Sequence, residues 1–230
     1  MKSFASQAVR RERSQTSRIE LVLDATRGPS VLDIGCSGQE GRHSDLGSQW
    51  WLHGRLLERF DIVWGVEYSA EGVKRLRDEG IKNVHQGDAH SFDLERSFDT
   101  IVAGELIEHL ENPGLFLDTC RRHIKPGGRL VLTTPYAFFP LYAATAAVKF
   151  PKTCSNSEHV MWFCPTTLKG LAERCRFRVI EWSLATAFRE DLASPTGRRV
   201  SRAMNHVGRF LPARLGSNSL VIVLSPDLAG

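Results

Sequence analysis

The chain has 230 residues, with 30 basic and 26 acidic side chains, a formal net charge of +4 and 42% apolar residues. At about 100–200 residues per domain this length fits one domain with additions, and the composition excludes disordered, collagen-like and coiled-coil classes. No apolar run reaches the ~20 residues that span a bilayer, and the N-terminus lacks the apolar stretch of a secretory signal. Five cysteines without a CxxC pair favour a reducing cytoplasm over a disulfide framework.

Short β-rich runs alternate with helical patterns along the chain. We predict strands at 30–34, 61–66, 83–86, 98–103, 129–134, 177–184 and 219–224. Helices are predicted at 69–79, 112–124 and 165–175, since Ser69 and Asn112 are residue types that begin helices. This alternation is typical of a parallel sheet with helices on both faces.

The positive charge is concentrated in two flanking segments. Residues 1–27 hold six basic and three acidic side chains, and residues 186–217 hold six basic and two acidic ones. We therefore expect a basic helical extension at 1–27 and one domain at 28–230 with a basic insertion at 186–217. Apolar residues at near-helical spacing within that insertion favour an amphipathic helix, which suits anionic lipid, phosphate groups or a solvated surface. Nucleic acid is the weakest of these readings because no aromatic RNA-binding strand is present.

Acidic residues follow three successive predicted strands. Asp33 precedes a turn at residues 35–38, the glycine loop, while Glu67 ends the second strand and Asp88 lies just after the third. Ligands of such sheets bind at the carboxyl ends of the strands, so the three acids favour a cationic ligand with ribose hydroxyls and an amino group. The dinucleotide pattern G-x-G-x-x-G is absent, which disfavours an NAD-dependent oxidoreductase.

Five segments resemble, in order, the motifs of class I S-adenosylmethionine-dependent methyltransferases: VLDIGCSG, VWGVEYS, GDAHSFDL, FDTIVAGELIEHL and HIKPGGRLVLTTP. The resemblance covers about residues 28–184. It implies an α/β, Rossmann-like doubly wound sheet of seven strands, mostly parallel with an antiparallel last strand. It also implies that the glycine loop binds the methionine end of the cofactor, Glu67 the ribose, and Asp88 with Ala89 the adenine. The predicted cofactor-binding residues are Asp33, Gly35, Cys36, Gly38, Glu67, Tyr68, Asp88, Ala89 and Glu105.

Two features depart from the family pattern. Ser37-Gly38-Gln39 stands where the family has Gly-x-Gly, and 34 residues separate Asp33 from Glu67 instead of about 20. The extra segment, 39–52, either covers the cofactor or substrate or is a surface insertion.

Two carboxylates and an imidazole follow the fourth strand at Glu105, Glu108 and His109. In a helical turn these residues share one face, and His159 is the candidate fourth ligand. The motif resembles those of ubiquinone-biosynthesis O-methyltransferases and small-RNA 2′-O-methyltransferases, which implies Mg²⁺ or another divalent cation bound to a substrate hydroxyl. Glu108, His109 and His159 are the predicted catalytic residues. Either histidine acting as a metal-free base remains open, as does a structural role.

The expected function is O-methylation of a hydroxyl on a small-molecule, lipid-linked or glycan acceptor. The alternatives are an NAD-dependent oxidoreductase and a non-catalytic S-adenosylmethionine-binding protein. The apolar segment 136–150 is either a core helix or an acceptor pocket or lid, and a cytoplasmic protein with peripheral contact to anionic membrane is expected. The remaining histidines are interpreted as surface or helix residues: His43, His53, His85, His90, His123 and His206.

Overall fold

A computed structural model of the protein describes residues 9–10, 17–38, 48–149, 158–186, 195–208 and 210–227. Eight strands form one sheet: β1 (Val9–Arg10), β2 (Ser30–Ile34), β3 (Ile62–Glu67), β4 (Val84–Gln86), β5 (Phe98–Gly104), β6 (Ile124–Pro135), β7 (Phe177–Ala185) and β8 (Ser219–Pro226). The helices are α1 (Arg18–Ala25), α2 (Leu52–Arg59), α3 (Ala70–Asp78), α4 (Pro113–Arg122), α5 (Pro140–Lys149), α6 (Pro165–Arg174), α7 (Pro195–Gly208) and α8 (Ala213–Gly216). No helix in these ranges is both long and apolar enough to cross a bilayer.

The strands lie in the order β1-β7-β8-β6-β5-β2-β3-β4. β8 runs antiparallel between β6 and β7, and all other neighbours pair in parallel. The predicted doubly wound fold is therefore confirmed, with every predicted strand present. The structure adds the two-residue strand β1 at the edge, and it extends the predicted strand 129–134 to Ile124–Pro135.

Alternate residues of the central strands enter two separate cores, one on each face of the sheet. Leu32, Ile101 and Leu130 pack with residues of α4 and α6, whereas their chain neighbours Val31 and Val102 pack with residues of α1 and α2. Side chains of successive strand residues point to opposite faces. Burial on both faces explains why the strand sequences are continuously apolar instead of alternating.

The predicted N-terminal extension is described only at residues 9–10 and 17–27. The first part is a strand of the sheet, and the second contains a helix that packs against the sheet. β1 pairs with β7, and α1 buries Ile19, Leu21, Val22 and Leu23. Between β7 and β8, the predicted basic insertion forms α7 and α8, and Met204 of α7 packs against the larger core. Residues 187–194 of the insertion and 39–47 of the extra segment lie outside the described residues.

Asn112 begins α4 as the sequence predicts. Its side chain accepts a hydrogen bond from the Leu115 N–H at 3.1 Å, and Pro113 takes the first helical position. Asn112→Ala leaves that N–H without its cap, so we expect the free energy of unfolding to fall by about 1 kcal/mol in urea denaturation. Glu111→Ala, which changes the exposed neighbour, is the control. Equal effects of the two substitutions would contradict the assigned cap.

Candidate functional site

The glycine loop follows β2 at the carboxyl edge of the sheet. Gly35 and Gly38 have φ values of +80° and +71°, in the region where only glycine is unstrained. The Gly35 N–H donates to the Val66 carbonyl at 2.8 Å, and the Ser37 N–H donates to Glu67 Oε2 at 3.0 Å. These amides bond within the protein, whereas a pyrophosphate loop presents its amides to the ligand. The loop geometry therefore argues against a dinucleotide, as its spacing predicted.

Glu67 ends β3 beside this loop and is 8% exposed. Its two carboxylate oxygens accept one N–H each, from Ser37 and from Ser69, both at 3.0 Å. A carboxylate offers about four acceptor positions, so two remain for the hydroxyls of a ribose. Tyr68, the next residue, is 75% exposed, so its side chain is accessible to a ligand.

Asp88 lies just beyond β4 at the same edge, because Glu67 pairs with Gln86 in the register of β3 and β4. Its Oδ1 accepts the His90 N–H at 2.8 Å and lies 2.7 Å from His90 Nδ1. The hydrogen bond from the His90 backbone lowers the pKa of Asp88. Ala89 is buried in the larger core and fixes the turn that carries Asp88.

Asp33 is buried at the end of β2, and its Oδ2 lies 3.0 Å from Nδ1 of His53 in α2. Burial raises the pKa of Asp33, and the bond with His53 opposes that rise. Cys36, also predicted to contact the cofactor, is buried, and its carbonyl accepts a hydrogen bond from the Trp51 Nε1–H at 2.9 Å. The sequence placed His53 in a helix but gave no sign of its partner.

Glu105 departs from the predicted geometry. Its φ of +53° turns the chain before a 3₁₀ turn at Ile107–His109, so Glu105 and Glu108 do not take up the expected i, i+3 arrangement. Glu105 Oε1 instead accepts a hydrogen bond from the Ser219 hydroxyl at 3.1 Å and lies 3.9 Å from Arg18 Nε. Glu105 therefore faces α1 and β8.

Glu108 is 1% exposed, and neither of its carboxylate oxygens has a hydrogen-bond partner among the described residues. Burial, together with the nearby charge of Glu105, raises the pKa of Glu108 to about 8, while its own backbone N–H and the nearby Thr134 hydroxyl oppose part of that rise. A buried acid that lacks such a partner in the described part of the chain is costly and rare, so a bound cation is one candidate to satisfy it.

His159 reaches Glu108 and His109 through a backbone contact between distant segments. The N–H groups of Val160 and Met161 donate to the Glu108 carbonyl at 2.9 and 3.2 Å. The rings of His109 and His159 meet edge to face, with centroids 4.7 Å apart. Burial and the neighbouring His109 lower the pKa of His159, whose Nδ1 is buried without a partner.

One ligand atom each of Glu108, His109 and His159 lies within 4.8 Å of the other two. Ligands bound about 2.1 Å from one ion lie at most about 4.2 Å apart, so small side-chain movements bring this set to a common ion. The unpartnered Glu108 oxygens and His159 Nδ1 also fit a cation. Glu105, which the sequence also predicted as a ligand, is not part of this group.

Arg18 of α1 is a cation at this site that the sequence did not single out. Its Nη1 donates to the Thr133 hydroxyl at 3.1 Å, and its side chain is 17% exposed. Its charge favours the ionised forms of both Asp33 and Glu108. An arginine in the first turn of an amphipathic helix looks like a surface residue until the helix is docked on the sheet.

Aromatic residues continue from His159 toward α5. Trp162 contacts the His159 ring at 6.0 Å and the Tyr142 ring at 5.0 Å between centroids. Burial raises the pKa of Tyr142 to about 12, with Glu105 and Glu108 adding to the rise. Along the predicted apolar segment 136–150, Phe138 and Val148 are 67% and 84% exposed. That segment is therefore only partly a core helix.

The sheet with its antiparallel β8 and the acids along its carboxyl edge are those of a class I S-adenosylmethionine-dependent methyltransferase. A family model described as a methyltransferase domain matches residues 3–181, and the chain belongs to this family.

Individual relatives are similar to about half of the chain, and solved structures share its fold. An uncharacterized 37.1 kDa protein in transposon TN4556 of Streptomyces fradiae is 34% identical over 128 residues, which cover 54% of this chain and 35% of that protein. The ubiquinone biosynthesis O-methyltransferase of Idiomarina loihiensis is 28% identical over 123 residues, 50% of this chain and 46% of that enzyme. The chain thus spans less than half the length of these relatives. An S-adenosylmethionine-dependent methyltransferase from Archaeoglobus fulgidus shares the fold, with a TM-score of 0.61, 21% identity and 90% coverage of both chains.

Proposed function

We propose that the protein transfers the methyl group of S-adenosylmethionine to a hydroxyl oxygen, with a divalent cation held by Glu108, His109 and His159. The observation that carries this proposal is the buried Glu108 carboxylate, which has no hydrogen-bond partner among the described residues and lies beside two imidazoles. The similarity to a ubiquinone biosynthesis O-methyltransferase supports oxygen as the methylated atom.

The proposed cation would lower the pKa of a bound hydroxyl and so supply an oxyanion nucleophile. Two imidazoles and one carboxylate suit Mn²⁺, Fe²⁺ or Zn²⁺ better than Mg²⁺, which prefers oxygen ligands. Leaving Glu105 out of the set therefore moves the preferred ion away from Mg²⁺.

Different side chains at the carboxyl edge of the sheet bind the methyl donor and the acceptor. Glu67 and Asp88 hold the adenosine part of the methyl donor, and the glycine loop positions its methionine part. Glu108, His109 and His159 hold the acceptor hydroxyl beyond β5. His159 is neutral near pH 7 because its pKa is lowered, so its ring is able to bind a cation or accept a proton. Holding both reactants in line is the main contribution that the protein makes to the rate.

The aromatic residues beside His159 favour a flat or apolar acceptor. The Trp162 ring packs between the His159 imidazole and the Tyr142 ring, and Phe138, in the same apolar segment as Tyr142, is exposed. Aromatic faces bind planar rings by stacking and also bind lipid tails. A small aromatic and a lipid-linked acceptor both fit, and exposed Arg199 and Arg202 of α7 supply a basic surface for anionic lipid.

The cation is tested by removing it. We expect transfer of labelled methyl groups to phenols and catechols to fall about tenfold or more in EDTA, and to return with Mn²⁺ or Zn²⁺. Calorimetric titration of the same ions gives a readout that needs no acceptor. His159→Ala should abolish ion binding, whereas His85→Ala, a change at a histidine stacked on Trp64 in the sheet, should not.

Two results would redirect the proposal. Activity that ignores EDTA but is lost in His159→Ala would identify a metal-free base. Binding of S-adenosylmethionine with no turnover on any hydroxyl, amine or thiol acceptor would favour the non-catalytic alternative.

A further inference from the structure

The start of α2 carries two buried rings that contact the glycine loop region. The Trp51 Nε1–H donates to the Cys36 carbonyl at 2.9 Å, and His53 Nδ1 lies 3.0 Å from Asp33 Oδ2. Trp51 is 5% exposed and His53 is 1% exposed, with their centroids 5.7 Å apart. One short segment therefore holds both the backbone of the loop and the acid that precedes it.

Two glycines make room for these rings. A Cβ on Gly54 would lie 2.4 Å from the Trp51 ring, and a Cβ on Gly65 would lie 2.5 Å from Cys36 Sγ and 3.2 Å from His53 Cε1. Glycine inside a helix or a strand lowers its stability. Gly54 and Gly65 therefore lower the local stability of α2 and β3 but leave the space in which these rings pack.

Local helix stability does not explain Trp51 either. It occupies the N-cap position of α2, and its side chain makes no capping hydrogen bond. Ser, Thr, Asp and Asn are the residues that stabilise this position. The indole N–H instead donates a hydrogen bond to the Cys36 carbonyl, so Trp51 holds the glycine loop and does not cap the helix.

The charge of Asp33 depends on the groups that face it: His53 from α2, Glu67 from β3, Arg18 from α1 and Cys36 of the loop. Burial raises the pKa of Asp33, and Glu67 adds to the rise. The hydrogen bond and charge of His53 oppose it, with a smaller contribution from Arg18. Loss of His53 would leave Asp33 protonated over a wider range of pH, and a protonated Asp33 attracts a cationic ligand less.

We propose that His53 and Trp51 are positioning residues for the methyl donor: His53 orients the Asp33 carboxylate, and Trp51 fixes the Cys36 carbonyl. The end of the extra segment 39–52 is then part of the cofactor site and not a surface insertion. This inference depends on the proposed function only in taking S-adenosylmethionine as the cofactor.

Binding of S-adenosylmethionine and S-adenosylhomocysteine, measured by calorimetry without acceptor, tests the inference. We expect His53→Leu to raise both dissociation constants about tenfold or more at pH 7, because the buried Asp33 loses its partner. His53→Asn keeps an N–H donor near the same place, so its constants should stay within about threefold of the wild-type values.

The pH profile separates a charge effect from a packing effect. Asp33 has the higher pKa in His53→Leu, so its ionised form appears only at higher pH. The affinity of that variant should therefore reach its maximum at a higher pH than the affinity of the wild type. A parallel profile with uniformly weaker binding would overturn the charge role of His53.

His123→Leu is the matched control. His123 is 3% exposed and bonds the Thr119 carbonyl and the Leu94 N–H, before β6 begins and so at the opposite edge of the sheet. The His123→Leu substitution should lower the melting temperature without changing the dissociation constants of the cofactor. Should His53→Leu fail to fold, Trp51→Phe keeps a ring and removes only the N–H donor, and we expect about threefold weaker binding or more.

Three outcomes separate the inference from the assignment of the cofactor. Weaker binding in His53→Leu and Trp51→Phe, with rescue in His53→Asn, supports the inference. Wild-type binding in both of the first two variants overturns it and leaves the proposed function intact. A wild-type protein that binds neither S-adenosylmethionine nor its product overturns the cofactor assignment itself.

Discussion

Glu108→Gln is expected to lower methyl transfer by about 100-fold or more while leaving the protein at least as stable as the wild type. Glutamine has nearly the same shape but carries no charge, so it is a poor ligand for a cation. Burial raises the pKa of Glu108 to about 8, so without a cation the folded protein holds this carboxyl protonated near pH 7, whereas the unfolded chain ionises it; this difference destabilises the fold above pH 4.5. The substitution is therefore expected to lower the activity without lowering the free energy of unfolding.

Turnover and thermal unfolding, measured on the same preparation, check both parts of this expectation. Glu111→Gln changes an exposed acid three residues away and should affect neither quantity. Wild-type turnover in Glu108→Gln would remove Glu108 from the reaction. A large loss of stability would show instead that its carboxylate is satisfied within the native protein.

Glu67→Ala is expected to weaken binding of S-adenosylmethionine by about 100-fold, equivalent to about 2.7 kcal/mol. The carboxylate accepts the N–H groups of Ser37 and Ser69, and we propose that it also accepts the ribose hydroxyls. Hydrogen bonds to a charged group contribute about 1.5–3 kcal/mol each, so the loss of two exceeds the effect of a neutral contact.

Calorimetry gives this dissociation constant directly, and Glu71→Ala, an exposed acid in the first turn of α3, is the control. Circular dichroism separates a local loss from general unfolding, because Glu67 also holds the glycine loop. Should Glu67→Ala bind the cofactor within about threefold of the wild type, the ribose is held elsewhere.

The sequence predicted the sheet and its ligand-binding edge because both depend on local patterns. Strand residues buried on two faces are continuously apolar, and an acid directly after such a run must lie at the carboxyl edge. Asp33, Glu67 and Asp88 therefore take their predicted positions at that edge. Their contacts with a cofactor stay a prediction.

Contacts between distant segments were harder to predict. His159 was identified as a candidate from its type and surroundings, and the structure brings it to Glu108 through backbone bonds 50 or more residues apart in sequence. Arg18 and His53 were missed because a polar residue in a short helix looks solvent-exposed until the helix packs. The direction of Glu105 was not predicted, because it depends on a positive φ, and a positive φ at a non-glycine residue has no sequence signature.

The position of β8 has a consequence for how the chain folds. β6 pairs with β5 on one side, and its other side is covered only when β8 enters between β6 and β7. Until residues 219–226 are synthesised, the apolar strand β6 is an open edge, which is the kind of surface that aggregates. The same event delivers Ser219 to Glu105, so completion of the sheet and arrangement of the site at Glu105 occur together. We therefore expect ribosome-bound chains that end before β8 to need a chaperone and to lack an ordered Glu105.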